Sequence, residues 1–248
     1  MERVAVFVAL RSEADAFKAL PLELRCLETG MPVYTGEIEG RRLIVARSGV
    51  GKRNALEAAE LVQSAFHPDA VISTGFCGGL VEEVRLCDVV LGSWVVQDGG
   101  RGEARRRPLL GDQAARLKSA LVEGGHRVHV GGLVCVSRPV ATPRERSELA
   151  LRTGALAAEM ETYHLAEYFL ARRVFFVGLR TVVDCLEDLI PVALSGPESG
   201  GSPRLSNLLG FLASHPGAVG PLLRLYLNAR KARGPLGKSV AAIVRVLP

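Results

Sequence analysis

Short apolar runs alternate along the chain with segments whose apolar residues recur every three or four positions, the pattern of strands interleaved with helices. Residues 4–9 predict a first strand. A helix follows from Ser12, a good N-cap, to about Leu20. Residues 33–38 and 42–46 flank Glu39-Gly40-Arg41 and read as a hairpin. In 54–66, Ala55, Ala58, Ala59, Val62 and Ala65 mark one helical face. Residues 70–74 form a short buried strand that runs into a glycine-rich loop. Further strands are predicted over 88–96, 129–136 and 174–183. Further helices are predicted from Asp112 to about Val122, over 143–151 with Thr142 as N-cap, and over 161–171. This order predicts an α/β fold, a central mixed sheet flanked by helices.

Composition narrows the class. The 248 residues suffice to bury a sizeable core. The 48% hydrophobic content excludes a disordered chain. Five scattered cysteines, Cys26, Cys77, Cys87, Cys135 and Cys185, have neither disulfide-framework nor zinc-site spacing. The expected compartment is therefore the cytoplasm. The chemistry considered below needs no cofactor and no metal. The formal net charge is +5, but it is unevenly placed. After Glu198 there is no acidic residue, while Arg204, Arg224, Arg230, Lys231, Arg233, Lys238 and Arg245 follow. Together with the Ser-Gly-Pro-Glu-Ser-Gly-Gly-Ser stretch at 195–202, this divides the chain into a main domain, 1–198, and a basic helical extension, 199–248. Tyr226 is the one aromatic residue among the last basic positions, which argues against a base-stacking nucleic-acid surface.

Several motifs sit where strands meet helices. Ser48-Gly49-Val50-Gly51-Lys52 can bring backbone N–H groups to an anion or a sugar, or simply make a tight turn. It is no P-loop, because Ala46 occupies the first glycine position. Thr74-Gly75-Phe76-Cys77-Gly78-Gly79 follows a strand, on the side where open α/β sheets bind ligands. Glu159-Met160-Glu161 places two carboxylates at a helix start, where they suit the dipole or a ligand. Arg180 lies inside an apolar strand and needs an anionic partner there. Asp184 ends that strand, and Glu13 follows the first one.

Taken in order, these segments resemble the nucleoside phosphorylase and nucleosidase superfamily, of the methylthioadenosine/S-adenosylhomocysteine nucleosidase type. The likeness rests on Ala9-Leu10-Arg11-Ser12-Glu13, the 48–52 and 74–80 segments, Asp88-Val89-Val90, Glu159-Met160-Glu161 and Arg180-Thr181-Val182-Val183-Asp184. It implies cleavage of the N-glycosidic bond of an adenine nucleoside. Asp184 matches the acid that protonates the leaving base, and such an acid must keep its proton near neutral pH. Glu161 matches the carboxylate on the ribose hydroxyls, and Met160 the residue beneath the ribose. Glu13 and Arg180 match residues that position and activate water. Phe76, Cys77 and Gly78 match the loop beside sugar and base. Ser48, Gly49 and Glu159 join the implied substrate contacts.

The chain departs from that pattern at Val183 and Phe76, where nucleosidases carry serines. The phosphate-holding Arg-x-Gly-Ser and Gly-Asp-Pro segments of phosphorylases are missing, which favours water over phosphate as the acceptor. Inorganic phosphate is the alternative co-substrate, with Arg11 and Arg138 as its candidate ligands. Residues beyond 188 resemble the C-terminal region of hopanoid-associated phosphorylase-like proteins, which implies adenosylhopane as substrate and ribosylhopane as product. Alternatives are methylthioadenosine or S-adenosylhomocysteine, futalosine, a purine nucleoside phosphorylase reaction, or a nucleoside or lipid binder without catalysis. Arg224 and Lys231 share one helical face, with Leu222, Leu225, Tyr226 and Ala229 towards another. Such a helix suits peripheral contact with the inner face of a membrane, or packing on the domain with its basic face in water. The resemblance also implies a homo-oligomer, a dimer.

Overall fold

The computed structural model describes residues 2–27, 30–99, 106–190 and 216–248. The loose stretch at 195–202, the start of the expected extension at 199 and the leucine-rich 205–212 lie outside the described residues. The strands are β1 (Arg3–Val8), β2 (Leu22–Cys26), β3 (Pro32–Ile38), β4 (Arg41–Arg47), β5 (Ala70–Gly79), β6 (Val89–Gln97), β7 (Arg107–Pro108), β8 (Val128–Cys135), β9 (Ala155–Glu159) and β10 (Phe175–Asp184). The helices are α1 (Arg11–Ala14), α2 (Lys52–Phe66), α3 (Ala114–Glu123), α4 (Pro143–Thr153), α5 (Thr162–Leu170) and α6 (Val219–Val246).

All the strands join one mixed sheet. β1 lies between β4 and β5, parallel to both, and the β3–β4 hairpin forms as its turn residues predict. At the other end the sheet curls back on itself. β10 pairs with both β5 and β6, and β6, β8, β9 and β5 then follow by pairing, so these strands close into a ring. The ring brings the carboxyl ends of β5, β9 and β10 together.

Alternation along β1 shows the layers. Ala5 and Phe7 enter one core with Ala55, Ala58, Ala59 and Val62 of α2 and Leu165, Ala166 and Phe169 of α5. Val4, Val6 and Val8 enter the other with Leu117 and Leu121 of α3 and Leu236, Val240, Ile243 and Val244 of α6. A strand buried on both faces reads as a continuous apolar run, which is why β1, β5 and β10 are legible in the sequence. Helices therefore flank the central sheet on both faces.

The structure revises several local expectations. The helix from Ser12 is one short turn, continued by a tight 3₁₀ turn at Asp15–Phe17. Gln113, rather than Asp112, caps α3. The segment 75–79 is strand, held by β10 on one side and β9 on the other, rather than loop. Three strands escape the apolar pattern. β2 is largely exposed, β7 is two residues long, and β9 is an alanine-rich run before Glu159. Thr142 caps α4 as its sequence predicts, accepting the Glu145 N–H at 3.2 Å.

α6 has two halves of different character. From Ala232 onward it is built into the core. Between Gly217 and Lys231 no residue is fully buried. Pro235 lies within the helix and has no N–H to donate to the preceding turn. No helix among the described residues is long and apolar enough to cross a membrane.

Candidate active site

The first turn of α1 folds Glu13 back under the end of β1. Its Oε2 accepts the N–H groups of Ala9 and Leu10, both at 2.8 Å, and its Oε1 accepts that of Phe76 at 2.8 Å. The side chain is buried, and burial raises its proton affinity against the pull of those N–H groups and of Arg180. Gly75 makes the approach possible. Its φ is +148°, and a Cβ there would stand 2.6 Å from Glu13 Oε1 and 2.8 Å from Arg180 Nη1.

Arg180 projects from β10 into a buried polar knot. Its Nη2 donates to Glu159 Oε2 at 2.6 Å, Thr162 Oγ1 at 2.8 Å and Ser73 Oγ at 3.1 Å, and it stands 3.8 Å from Glu161 Oε2. This satisfies the requirement that a buried guanidinium be paired. Glu159 Oε2 also accepts the N–H groups of Glu161 at 2.9 Å and Thr162 at 2.7 Å, and so closes the start of α5. The two carboxylates of Glu159-Met160-Glu161 thus divide their work. Glu159 caps the helix and neutralises Arg180, while Glu161 turns towards the start of α2, where its Oε1 accepts the Gly51 N–H at 2.9 Å. Burial, and then the nearby Glu159 charge, push the Glu161 carboxyl up to about 8.

Asp184 ends β10 just past an irregularity in its pairing with β5. It is buried, and forms an ion pair with Arg146 of α4. Burial raises its carboxyl while Arg146 pulls the other way. Arg146 is only 1% exposed and also donates to the carbonyls of Cys185 at 3.0 Å and Gly79 at 3.3 Å.

Apart from Arg180 and its partners Ser73 and Thr162, which do not border it, these groups line a cavity of about 620 Å³. Glu13, Phe76, Cys77, Gly78, Glu159, Met160, Glu161 and Asp184 all border it. Burial raises the Cys77 thiol, which is therefore no ready nucleophile. The outer half of α6 supplies the facing wall with Val219, Leu222, Leu223, Leu225, Tyr226 and Ala229. That half is tied beside Asp184 by an Arg224–Asp188 ion pair and by Asn228 Nδ2 donating to the Val183 carbonyl at 3.0 Å.

Ser48 and Gly49 border a neighbouring cavity with Arg11, while Val50 borders both. The Ser48 hydroxyl donates within the protein, to the carbonyls of Gly49 at 2.9 Å and Val8 at 3.2 Å. Besides Val50, the 48–52 turn gives the main cavity the Gly51 N–H that holds Glu161. Arg138 is exposed and pairs with Glu145 at 3.0 Å.

Arg146 is the site residue that sequence reasoning missed. It sits in Arg144-Glu145-Arg146, which reads as a solvated helix face. The available signal was spacing, since Arg146 precedes the buried Leu149 by three positions and Thr153 by seven.

Comparison with known proteins bears on this arrangement. The 5'-methylthioadenosine/S-adenosylhomocysteine nucleosidase of Shewanella loihica is 30% identical over 177 residues, covering 66% of this chain and 77% of that protein. The Neisseria meningitidis protein of that name, solved with methylthio-immucillin-A, superposes with a TM-score of 0.75 at 23% identity, covering both chains in full. The futalosine hydrolase of Helicobacter pylori superposes with a TM-score of 0.77 at 17% identity, covering 99% of this chain and 98% of that one. The two superpositions speak to the fold. The sequence pattern of the phosphorylase superfamily matches residues 3–194. That span takes in β1 through β10 and every carboxylate that borders the cavity, and the chain belongs to the phosphorylase superfamily.

Proposed function

We propose that the chain is an N-glycosidase that releases adenine from a nucleoside bearing a large apolar substituent, adenosylhopane, and leaves ribosylhopane. The observation that carries this reading is the two-sided cavity: buried carboxylates Glu13, Glu161 and Asp184 on one side, the apolar wall of α6 on the other. The nucleosidase relatives support the adenine nucleoside, and the wall supports the apolar substituent.

The reaction breaks the bond between the anomeric carbon and the base. Charge builds up as a cation on the sugar and an anion on the base. Asp184 gives its proton to the leaving base, and burial favours the protonated form that this needs. Glu161 holds the ribose hydroxyls and stabilises the cationic sugar. Glu13, raised by burial and adjacent to Arg180, takes a proton from the attacking water. The oxygen of that water ends on the anomeric carbon, and its proton balances the one lost to adenine. The ion pair of Arg138 with Glu145, and the position of Arg11 beside the second cavity, support water over phosphate.

The exposed Leu223, Tyr226 and Leu227, beside Arg224 and Arg230, support peripheral contact with an anionic membrane as the route of substrate entry. The test is free adenine released from adenosylhopane in detergent and from methylthioadenosine, each with and without phosphate. Turnover of the lipid nucleoside without phosphate is expected. Release mainly from methylthioadenosine would assign a small-molecule nucleosidase, and strict phosphate dependence would make the enzyme a phosphorylase. Binding of adenosine with no base released from any substrate would sink the enzymatic reading.

A further inference from the structure

Asp184 does not face the cavity alone. Arg146 stands against it with almost no exposure, fixed by the Gly79 and Cys185 carbonyls as well as by the ion pair. The backbone of β5 is cut away to admit the pair. A Cβ on Gly78 would lie 2.7 Å from Asp184 Oδ2 and 3.1 Å from Arg146 Nη1. Two elements far apart in sequence, α4 and the end of β5, are thus shaped around one contact.

From this geometry we infer that Arg146 is a positioning residue for base release: it fixes the direction of the Asp184 carboxyl, and its buried charge limits how high in pH Asp184 keeps its proton. The inference rests on the proposed role of Asp184 as the acid. The other ionisable groups about Asp184 are Cys77 on β5 and Cys185 and Asp188 beyond β10, and Asp188 is itself paired with Arg224 of α6. No other cation is seated on Asp184 among the described residues.

An adjacent cation favours the carboxylate, so removing it raises the Asp184 pKa. An acid with a higher pKa keeps its proton to higher pH. The alkaline limb of kcat/KM for adenine release is therefore expected to move up by about one unit or more in Arg146→Gln, and to return towards wild type in Arg146→Lys. A readout without turnover accompanies this. In Arg146→Gln the raised Asp184 makes Tm fall more steeply as pH rises through the new pKa, and adding Asp184→Asn should abolish that extra slope. Gly78→Ala, which pushes between the two side chains, should displace the limb in the same direction and serves if Arg146→Gln does not fold.

An unmoved limb and an unchanged Tm slope in folded Arg146→Gln or Gly78→Ala would overturn the inference. So would a limb displaced as far in Arg146→Lys as in Arg146→Gln. Failure of the acid role is separately visible, because Asp184→Asn alone would then retain full turnover.

Discussion

Glu161 holds a carboxyl that burial makes costly to charge, yet its proposed work on a cationic sugar needs the charge. Its ordinary value of 4.5 rises to about 8 in the fold. A carboxyl raised on folding contributes stability that is full below pH 4.5 and lost as pH climbs through about 8. Glu161→Gln removes that dependence. Its Tm should decline less than wild type between pH 5 and 9, by scanning calorimetry, while adenine release drops roughly 10²–10³-fold. Asp184→Asn should slow base release roughly 10²–10⁴-fold, in single-turnover assays, because the amide N–H is too weak an acid to protonate the base. Glu13, Arg180, Glu161 and Asp184 stand out in the sequence as charged groups beside a strand end or within a strand, and the family resemblance is what gives them roles. Arg146 is hidden because a charged run on a helix looks solvated until the partner across the fold is known. In the turn that Ser48 and Gly49 open, the Gly51 N–H holds a carboxylate of the same chain, a contact between residues 110 apart that no local pattern shows.

Among the elements, α6 joins two tasks along one axis. Its inner half fills the core beneath the sheet, with Leu236, Val240, Ile243 and Val244 wholly buried. Leu236→Ala should cost about 2–5 kcal/mol, read from urea unfolding. Its outer half meets the cavity instead, and a charge count alone misses this, because its basic residues draw attention away from the leucines between them. β9 is the other element the sequence conceals. Alanines carry little strand preference, and β9 forms because β8 and β5 supply its partners on both sides. Once formed, it ends at Glu159 and delivers the knot around Arg180.

For the whole molecule, closure of the sheet into a ring matters most. Strand ends that are distant in the chain, at residues 79, 159 and 184, converge only because β10 is shared between β5 and β6. The convergence supplies the polar side of the cavity, and α6 supplies the apolar side. The two sides should separate under mutation. Leu222→Asn with Tyr226→Ser should lower turnover of the proposed substrate, adenosylhopane, at least about tenfold, since burying an apolar side chain against an apolar ligand is worth on the order of 1–3 kcal/mol. Methylthioadenosine turnover should change much less, and parallel adenine-release assays compare the two. The layered α/β arrangement is readable from alternating apolar periods. The ring is not, because strand pairing between remote segments leaves no local period.

The absence of fully buried residues between Gly217 and Lys231 bears on how such a protein diversifies. Substitutions there remove few packed atoms, so the fold tolerates them at small energetic cost. Yet the same stretch borders the cavity, on the side assigned above to the apolar substituent of the proposed substrate. New preferences can therefore arise by single steps on this outer helical arm, each one viable on the way, while the carboxylates on the far wall stay untouched. Anchorage of the arm in the core keeps its register through such drift, so lineages that share the catalytic strands can part company at the helix.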